Sequence, residues 1–447
     1  MTFKKILIAN RGEIAIRILR SCRELGIGTV AVHSTVDEDS LHVKLCDESV
    51  CIGPAKSLQS YLNIPAILSA AEITGADAVH PGFGFLSEND EFAELCGKWG
   101  LTFIGPSVDC IRKMGDKIES KEIAKKAGVP TLEPIKVEGM SEKDIIVAVE
   151  KMGFPVLIKA SAGGGGKGMK RIEEMSDVLP SISRLREEAN AAFGDGTLFI
   201  EKYITNPRHI EVQILADKHG NVIHLGERDC TIQRRFQKLV EESPSPVLND
   251  TIRNQICESA VKLAKFVNYD SVGTVEYLYD QDEKKFYFME MNTRIQVEHP
   301  VTEQRTGVDL ILEQIRSAEG EVLKYKQSDI QFRGHCIECR INAEDPKTSM
   351  PSPGLVVHYH RPGGIGVRVD DYIYSGYTVL PYYDSMLAKI IVYASTREDA
   401  VRRMKRALGE TVIQGIQTNI GLHKRIMEDE DFLGNNYSTN FYSQKMG

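Results

Sequence analysis

The run Phe286-Tyr287-Phe288-Met289-Glu290-Met291-Asn292-Thr293-Arg294-Ile295-Gln296-Val297-Glu298 constrains this chain more than any other segment. A β-strand turns alternate residues to opposite faces. A strand through this run puts Glu290, Asn292, Arg294, Gln296 and Glu298 on one side, and Met289, Met291, Thr293, Ile295 and Val297 on the other. The apolar side suits a core. The polar side is expensive to bury unless a metal or a charged substrate meets it. An exposed edge strand is the plainer alternative, but solvated edges favour Lys and Glu over paired amides and Arg. The segment predicts a sheet with a core on one face and a reaction surface on the other.

The first third of the chain alternates strands and amphipathic helices. Strands are expected at Lys5–Ala9 and Thr29–His33, with a helix between them over Glu13–Leu25 that turns Ile14, Ile18, Leu19, Cys22 and Leu25 inward. Tyr61–Thr74, Ala78–His80 and Phe92–Trp99 continue the pattern to Leu101–Ile104. Repeated βα units imply a mostly parallel, doubly wound sheet. Its first turn, Asn10-Arg11-Gly12-Glu13, lacks the dinucleotide glycine fingerprint, which disfavours a nicotinamide role.

The middle region carries a strand at Phe154–Ser161 and then Ala162-Gly163-Gly164-Gly165-Gly166-Lys167-Gly168-Met169. Met169-Lys170-Arg171-Ile172 reads as another strand, not the helix a dinucleotide site needs, and a Walker A loop fails at Ser161 and Gly168. What remains is a strand–glycine loop–strand whose amides suit phosphates, with Lys159 beside it. Gly273–Tyr279 and Lys285–Glu298 read as a hairpin around residues 280–284. On its facing strands Glu276, Glu290 and Asn292 offer the few oxygen ligands that Mg²⁺ prefers. Lys117, Lys159, Lys202, His209 and Lys238 are spread along the same region. A phosphoryl-transfer site needs several such cations to converge, and spacing alone does not show that they do.

Composition sets outer bounds. With 447 residues, 42% hydrophobic and 26% charged, the chain is an ordinary globular sequence, long enough for about three domains. A formal charge of −8 argues against general binding to nucleic acid or to a membrane surface. The apolar stretch at Ile6–Ala9 is too short for a signal peptide. Nine cysteines without framework spacing point to a reducing, cytoplasmic setting. The one CxxC, Cys336-Ile337-Glu338-Cys339, lies in a strand-like stretch that turns its two thiols to opposite sides, so buried thiols are expected there and not a zinc site. A third region, about 331–447, mixes strands with a helix at Arg397–Leu408.

Together these motifs resemble biotin carboxylase, an ATP-grasp ligase. The resemblance spans nearly the whole chain. It rests on Ile8–Ala15, His80-Pro81-Gly82-Phe83-Gly84-Phe85-Leu86-Ser87-Glu88-Asn89, Met114-Gly115-Asp116-Lys117, Glu201-Lys202-Tyr203, Pro207-Arg208-His209 and Glu227-Arg228-Asp229-Cys230. The strand at 286–298 with its extension to Glu303, Arg340–Pro346 and Pro381–Met386 complete it. The fold it implies is α/β in three parts. These are an N-terminal Rossmann-like domain over 1–115, a central ATP-grasp domain over 116–320 with a mobile glycine-loop lid at about 132–203, and a C-terminal α+β domain over 331–447.

The same resemblance implies site residues. ATP would be held by Lys117, Lys159, Gly164, Gly165, Gly166, Met169, Glu201, Lys202, Ile204, His209, Gln233, Phe236, Lys238, Glu276 and Glu290. Two Mg²⁺ or Mn²⁺ ions would sit on Glu276, Glu290 and Asn292, and bicarbonate on Lys238, Arg294, Gln296, the Val297 amide and Glu298. Glu298 would be the general base and Arg340 would stabilise the biotin enolate beside Phe83. A structural salt bridge is the alternative for Arg340, which shares a strand face with Glu338. Phe83 and Phe236 stand where the family commonly has Tyr and His.

The implied activity is ATP-dependent carboxylation of biotin through carboxyphosphate, the first half-reaction of acetyl-CoA carboxylase. A split pyruvate or acyl-CoA carboxylase, or another carboxylate ligase, stands as the alternative. The implied partners are a separate biotin carboxyl carrier protein (no Ala-Met-Lys-Met motif occurs), carboxyltransferase subunits and a second copy of this chain.

Overall fold

A computed structural model of the chain describes residues 2–161 and 168–446. Gly164, Gly165 and Gly166 lie outside the described residues. The first third forms a five-stranded parallel sheet in the order Glu48–Gly53, Gly28–Ser34, Lys5–Ile8, Ala78–His80, Thr102–Phe103. The helix at Gly12–Glu24 buries Ile14, Ile18, Leu19 and Cys22 against one face, as its spacing predicts. The expected helix from Tyr61 begins at Ile64, because the Asn63 side chain accepts from the Ala66 amide and caps it there. Tyr61 instead packs in the core with its hydroxyl on Asp37. The Glu48–Gly53 edge strand carries no clean alternation and is not among the strands expected above.

An eight-stranded, wholly antiparallel sheet forms the body of the molecule. Its order is Lys285–Asn292, Ser271–Asp280, Pro207–Ala216, Val222–Arg234, Gln237–Ser243, His335–Asn342, Met386–Ala394, Val367–Asp371. Strands from beyond residue 331 therefore extend the sheet begun by the middle region, through pairing of Gln237–Ser243 with His335–Asn342. This seam sets Arg340 on the strand next to the one that carries Lys238. Cys336 and Cys339 are free, buried, and belong to different apolar clusters, so the CxxC spacing reflects packing.

A smaller four-stranded sheet, Ile135–Lys136, Leu198–Lys202, Val156–Ala160, Met169–Ile172, is backed by the helices Glu142–Met152 and Val178–Phe193. It has its own core around Val149, Val156, Ile158, Ile182 and Ile200. The strands on either side of the glycine run pair antiparallel, with Lys159 opposite Met169. No helix among the described residues is long and apolar enough to cross a membrane.

The strand expected over Phe286–Glu298 ends at Asn292. A bulge also interrupts it, since Glu276 pairs with Glu290 while Tyr277 pairs with Phe288, leaving Met289 without a partner. Residues 293–298 form a turn that enters the helix His299–Thr306. These residues are outside the ladder, so their side chains are not held to strict two-residue alternation.

Candidate active site

Cross-strand register, which local periodicity does not reveal, assembles the site. Arg228 stands opposite Glu211, Glu211 opposite Glu276, and Glu276 opposite Glu290, forming one row across four strands. Gln213, Thr274 and Asn292 form the next row. Directly opposed residues share a face and interact. Three carboxylates in a row repel unless cations enter, and half-buried Lys238 and fully buried Arg228 do. Lys238 Nζ donates to Glu211 at 2.6 Å, Glu276 at 2.9 Å and Glu298 at 2.6 Å. Arg228 donates to Glu211, and to Gln213 at 2.7 Å, Thr302 at 2.9 Å, Thr274 at 3.2 Å and Gln296 at 2.8 Å.

The electrostatics divide the acids into two kinds. Burial alone would raise Glu276, but Lys238 and His209 outweigh it and hold the carboxyl well below its usual range. His209 Nε2 lies 2.9 Å from Glu276, and that pairing raises the imidazole against the opposing effect of burial. Glu290 goes the other way, raised by burial and then by Glu276, although Lys117 and His209 oppose the rise. A divalent cation between two facing carboxylates relieves this repulsion, so the donor set fits one. Asn292 Nδ2 donates to Glu276 at 2.8 Å, and ligand atoms of His209, Glu211 and Glu276 lie within 4.8 Å of one another.

The 293–298 turn supplies the second half. Gln296 bridges Arg228 and Glu276, its Nε2 donating to Glu276 at 2.8 Å. Glu298 accepts from Lys238 at 2.6 Å and from Arg340 at 3.0 Å. Burial pushes Glu298 up, but Lys238, Arg340 and Arg228 outweigh it and hold the carboxyl far below its ordinary value. Arg340 also donates to Glu241 at 2.6 Å, so it does form salt bridges, with Glu241 and Glu298 and not with its strand neighbour Glu338. Arg294 points toward the first domain, donating to Glu88 at 2.8 Å and to Asn292 at 3.0 Å.

The remaining candidates fall into two groups. Near the acid row, Gln233 Nε2 lies 2.8 Å from His209 Nδ1. Lys117 is close enough to lower Glu290. Phe236 forms the tip of a tight hairpin with Arg235, both at positive φ (65° and 50°), and is 63% exposed. Asn-Gly is the usual choice for such a turn, so two bulky residues there carry backbone strain.

In the smaller sheet, Lys159 and Lys121 both pair with buried Glu201, and Lys202 donates to the Gly153 and Phe154 carbonyls at 3.1 Å. Ile204 is buried and Met169 half-buried. Among the described residues, the hydrogen bonds and ion pairs of Lys159, Glu201 and Lys202 stay within this sheet and its flanking elements and do not reach the acid row. Phe83 packs half-buried on the first domain's core, with its carbonyl accepting from Asn10 at 2.8 Å. The site also contains Glu88, Glu211, Arg228 and Glu241, which are not among the candidates named from sequence. Glu211 shares the period-two face of His209 and Gln213, a signal available in the sequence.

Residues 2–111 match the family model described as biotin carboxylase, N-terminal domain, and residues 338–444 the biotin carboxylase C-terminal domain. Residues 116–326 match the carbamoyl-phosphate synthase L chain, ATP binding domain. The chain is 54% identical to a biotin carboxylase of Haemophilus influenzae over 448 aligned positions, covering 99% of each. It is similar to the crystal structure of a biotin carboxylase–β,γ-ATP complex from Campylobacter jejuni, with a TM-score of 0.94 and 48% identity over 99% of each chain. It is also similar to the biotin carboxylase domain of Hydrogenobacter thermophilus 2-oxoglutarate carboxylase, a dimer with MgADP, ADP and bicarbonate. There the TM-score is 0.92 at 49% identity, covering 99% of this chain and 98% of that one.

Proposed function

Because the chain belongs to the biotin carboxylase family of ATP-grasp ligases, we propose that it carboxylates biotin on a separate carrier protein, using ATP and bicarbonate, as the first half-reaction of an acetyl-CoA carboxylase. The single observation that carries the assignment to these residues is Lys238. One ammonium bridges Glu211 and Glu276 on the acid row to Glu298 on the turn, and so links a phosphoryl-donor side to an acceptor side.

In this reading Glu276, Glu290 and Asn292 hold the Mg²⁺ that accompanies ATP, and the ion supplies charge neutralisation along the phosphates. Lys117, Lys159, His209, Gln233 and Phe236 contact the nucleotide, with Glu201, Lys202, Ile204 and Met169 along the lid side. Lys238, Arg294, Gln296 and the Val297 amide bind bicarbonate. Glu298 takes the bicarbonate proton, and an oxygen of the resulting carbonate attacks the γ-phosphorus as ADP leaves. Carboxyphosphate then yields CO₂ and phosphate, the phosphate takes the biotin N1′ proton, and the ring nitrogen bonds to CO₂. Arg340 stabilises the enolate charge on biotin beside Phe83. The cations that make Glu298 a weak base at rest also stabilise the dianion that its action creates.

The relative from a 2-oxoglutarate carboxylase supports a second reading of the final acceptor, in which the carrier serves a keto acid. Purified chain should hydrolyse ATP in a bicarbonate-dependent manner that free biotin stimulates. Hydrolysis indifferent to both defeats the proposal. Reconstitution with the co-purifying carrier and transferase, scored for malonyl-CoA against carboxylated keto acids, separates the two acceptors.

A further inference from the structure

The turn that carries Gln296 and Glu298 lies beyond the last ladder bond of its strand, and its backbone is fastened from outside. His299 Nδ1 lies 2.7 Å from the Gln296 carbonyl. The next carbonyl, that of Val297, accepts from Lys389 Nζ at 2.8 Å. Lys389 is fully buried on the strand Met386–Ala394, opposite Arg340 on one side and Asp370 on the other. Its ammonium lies 3.0 Å from Glu13, in the first helix of the chain, and 4.0 Å from Asp370. Glu13, Asp370 and Glu338 outweigh burial and keep the amine protonated.

A buried ammonium needs carboxylate partners, and Glu13 with Asp370 would suffice for that. Lys389 instead directs one donor at the peptide joining Val297 to Glu298. The plane of that peptide includes the Glu298 Cα, so the hydrogen bond sets the direction from which the Glu298 carboxylate reaches Lys238 and Arg340.

We propose that Lys389 is a positioning residue for bicarbonate activation: anchored by Glu13, it holds the Val297 carbonyl so that Glu298 and the Val297 amide keep their places. The inference rests on the reading of Glu298 and Val297 given above. The residue is remote in sequence and touches no reacting atom. Misplacement of a reacting group by about 1 Å can cost about 10²-fold in rate.

The test is steady-state kinetics on Lys389→Met and on the double variant Lys389→Met/Glu13→Gln, which leaves no carboxylate unpaired at position 13. Rates are normalised to nucleotide-binding sites counted by titration. Both variants should show a bicarbonate KM raised about 10-fold and a kcat lowered by a similar factor, with the ATP KM within about twofold of wild type. The double variant should be the more stable of the two. Either variant with wild-type bicarbonate KM and kcat per binding site overturns the proposal, including the case in which only the melting temperature falls. A wild-type protein without bicarbonate-dependent hydrolysis defeats the underlying reading instead, so the two failures are distinguishable.

Discussion

Glu298→Gln isolates the proposed base with little other disturbance. The replacement keeps the volume and one acceptor oxygen but turns an NH₂ toward one of two cations. Lys238 at 2.6 Å and Arg340 at 3.0 Å each lose a charged partner. Neither is stranded, because Lys238 retains Glu211 and Glu276, and Arg340 retains Glu241. A hydrogen bond to a charged group is worth about 1.5–3 kcal/mol. The expected stability loss is therefore about 2 kcal/mol, a fall of a few degrees at most in melting temperature for a chain this long.

Turnover should fall much further. A positioned general base contributes about 10²- to 10⁴-fold, or about 3–5 kcal/mol of barrier. The assay is initial-rate ADP release at saturating bicarbonate with and without free biotin, alongside calorimetric titration of nucleotide. Nucleotide affinity should stay within about threefold of wild type. Turnover within about tenfold of wild type, with the fold intact, would refute the assignment of Glu298 as base. Glu298→Asp, which keeps the charge at shorter reach, should fall between the two.

Arg228→Met removes five buried hydrogen bonds and leaves Glu211 with one cation fewer, so unfolding free energy should drop by about 3–5 kcal/mol in urea titrations; a loss below about 1 kcal/mol would contradict the network. Glu276→Gln should raise the Mg²⁺ concentration for half-maximal ATP hydrolysis by about tenfold or more, and an unchanged Mg²⁺ titration removes Glu276 as a ligand. Glu241 offers a pH test. Burial, against the opposing pull of Arg340, pushes its carboxyl up to about 7 from an ordinary 4.5. Between those values the folded chain holds a proton that the unfolded chain has lost, so Glu241 makes stability fall as pH rises from 4.5 to 7 and has no further effect above that. Glu241→Gln should remove up to about 1.4 kcal/mol per pH unit of that decline, and identical slopes of unfolding free energy against pH in the two proteins would refute the shift.

The sequence by itself determined the kinds of element and the cast of side chains. Period-two runs located the hairpin strands, and the 3.6-residue spacing of Ile14, Ile18 and Cys22 located the first helix. The two strands flanking the glycine run were legible as short strand-like runs on either side of a turn. These signals are local, written in residues a few positions apart. Tertiary structure decided where the polar strand stops and what each polar group meets. Glu290 and Asn292 lie on the ladder, while Gln296 and Glu298 lie on a turn, because hydrogen bonding along that strand ends at Asn292. Glu211, Arg228, Glu88 and Lys389 enter the site through register and through contacts between residues as far apart as Lys389 and Glu13. Local periodicity says which face a residue takes, but which residue stands opposite is set by how strands align and which charges must be neutralised on burial. That choice is made only when the whole sheet assembles.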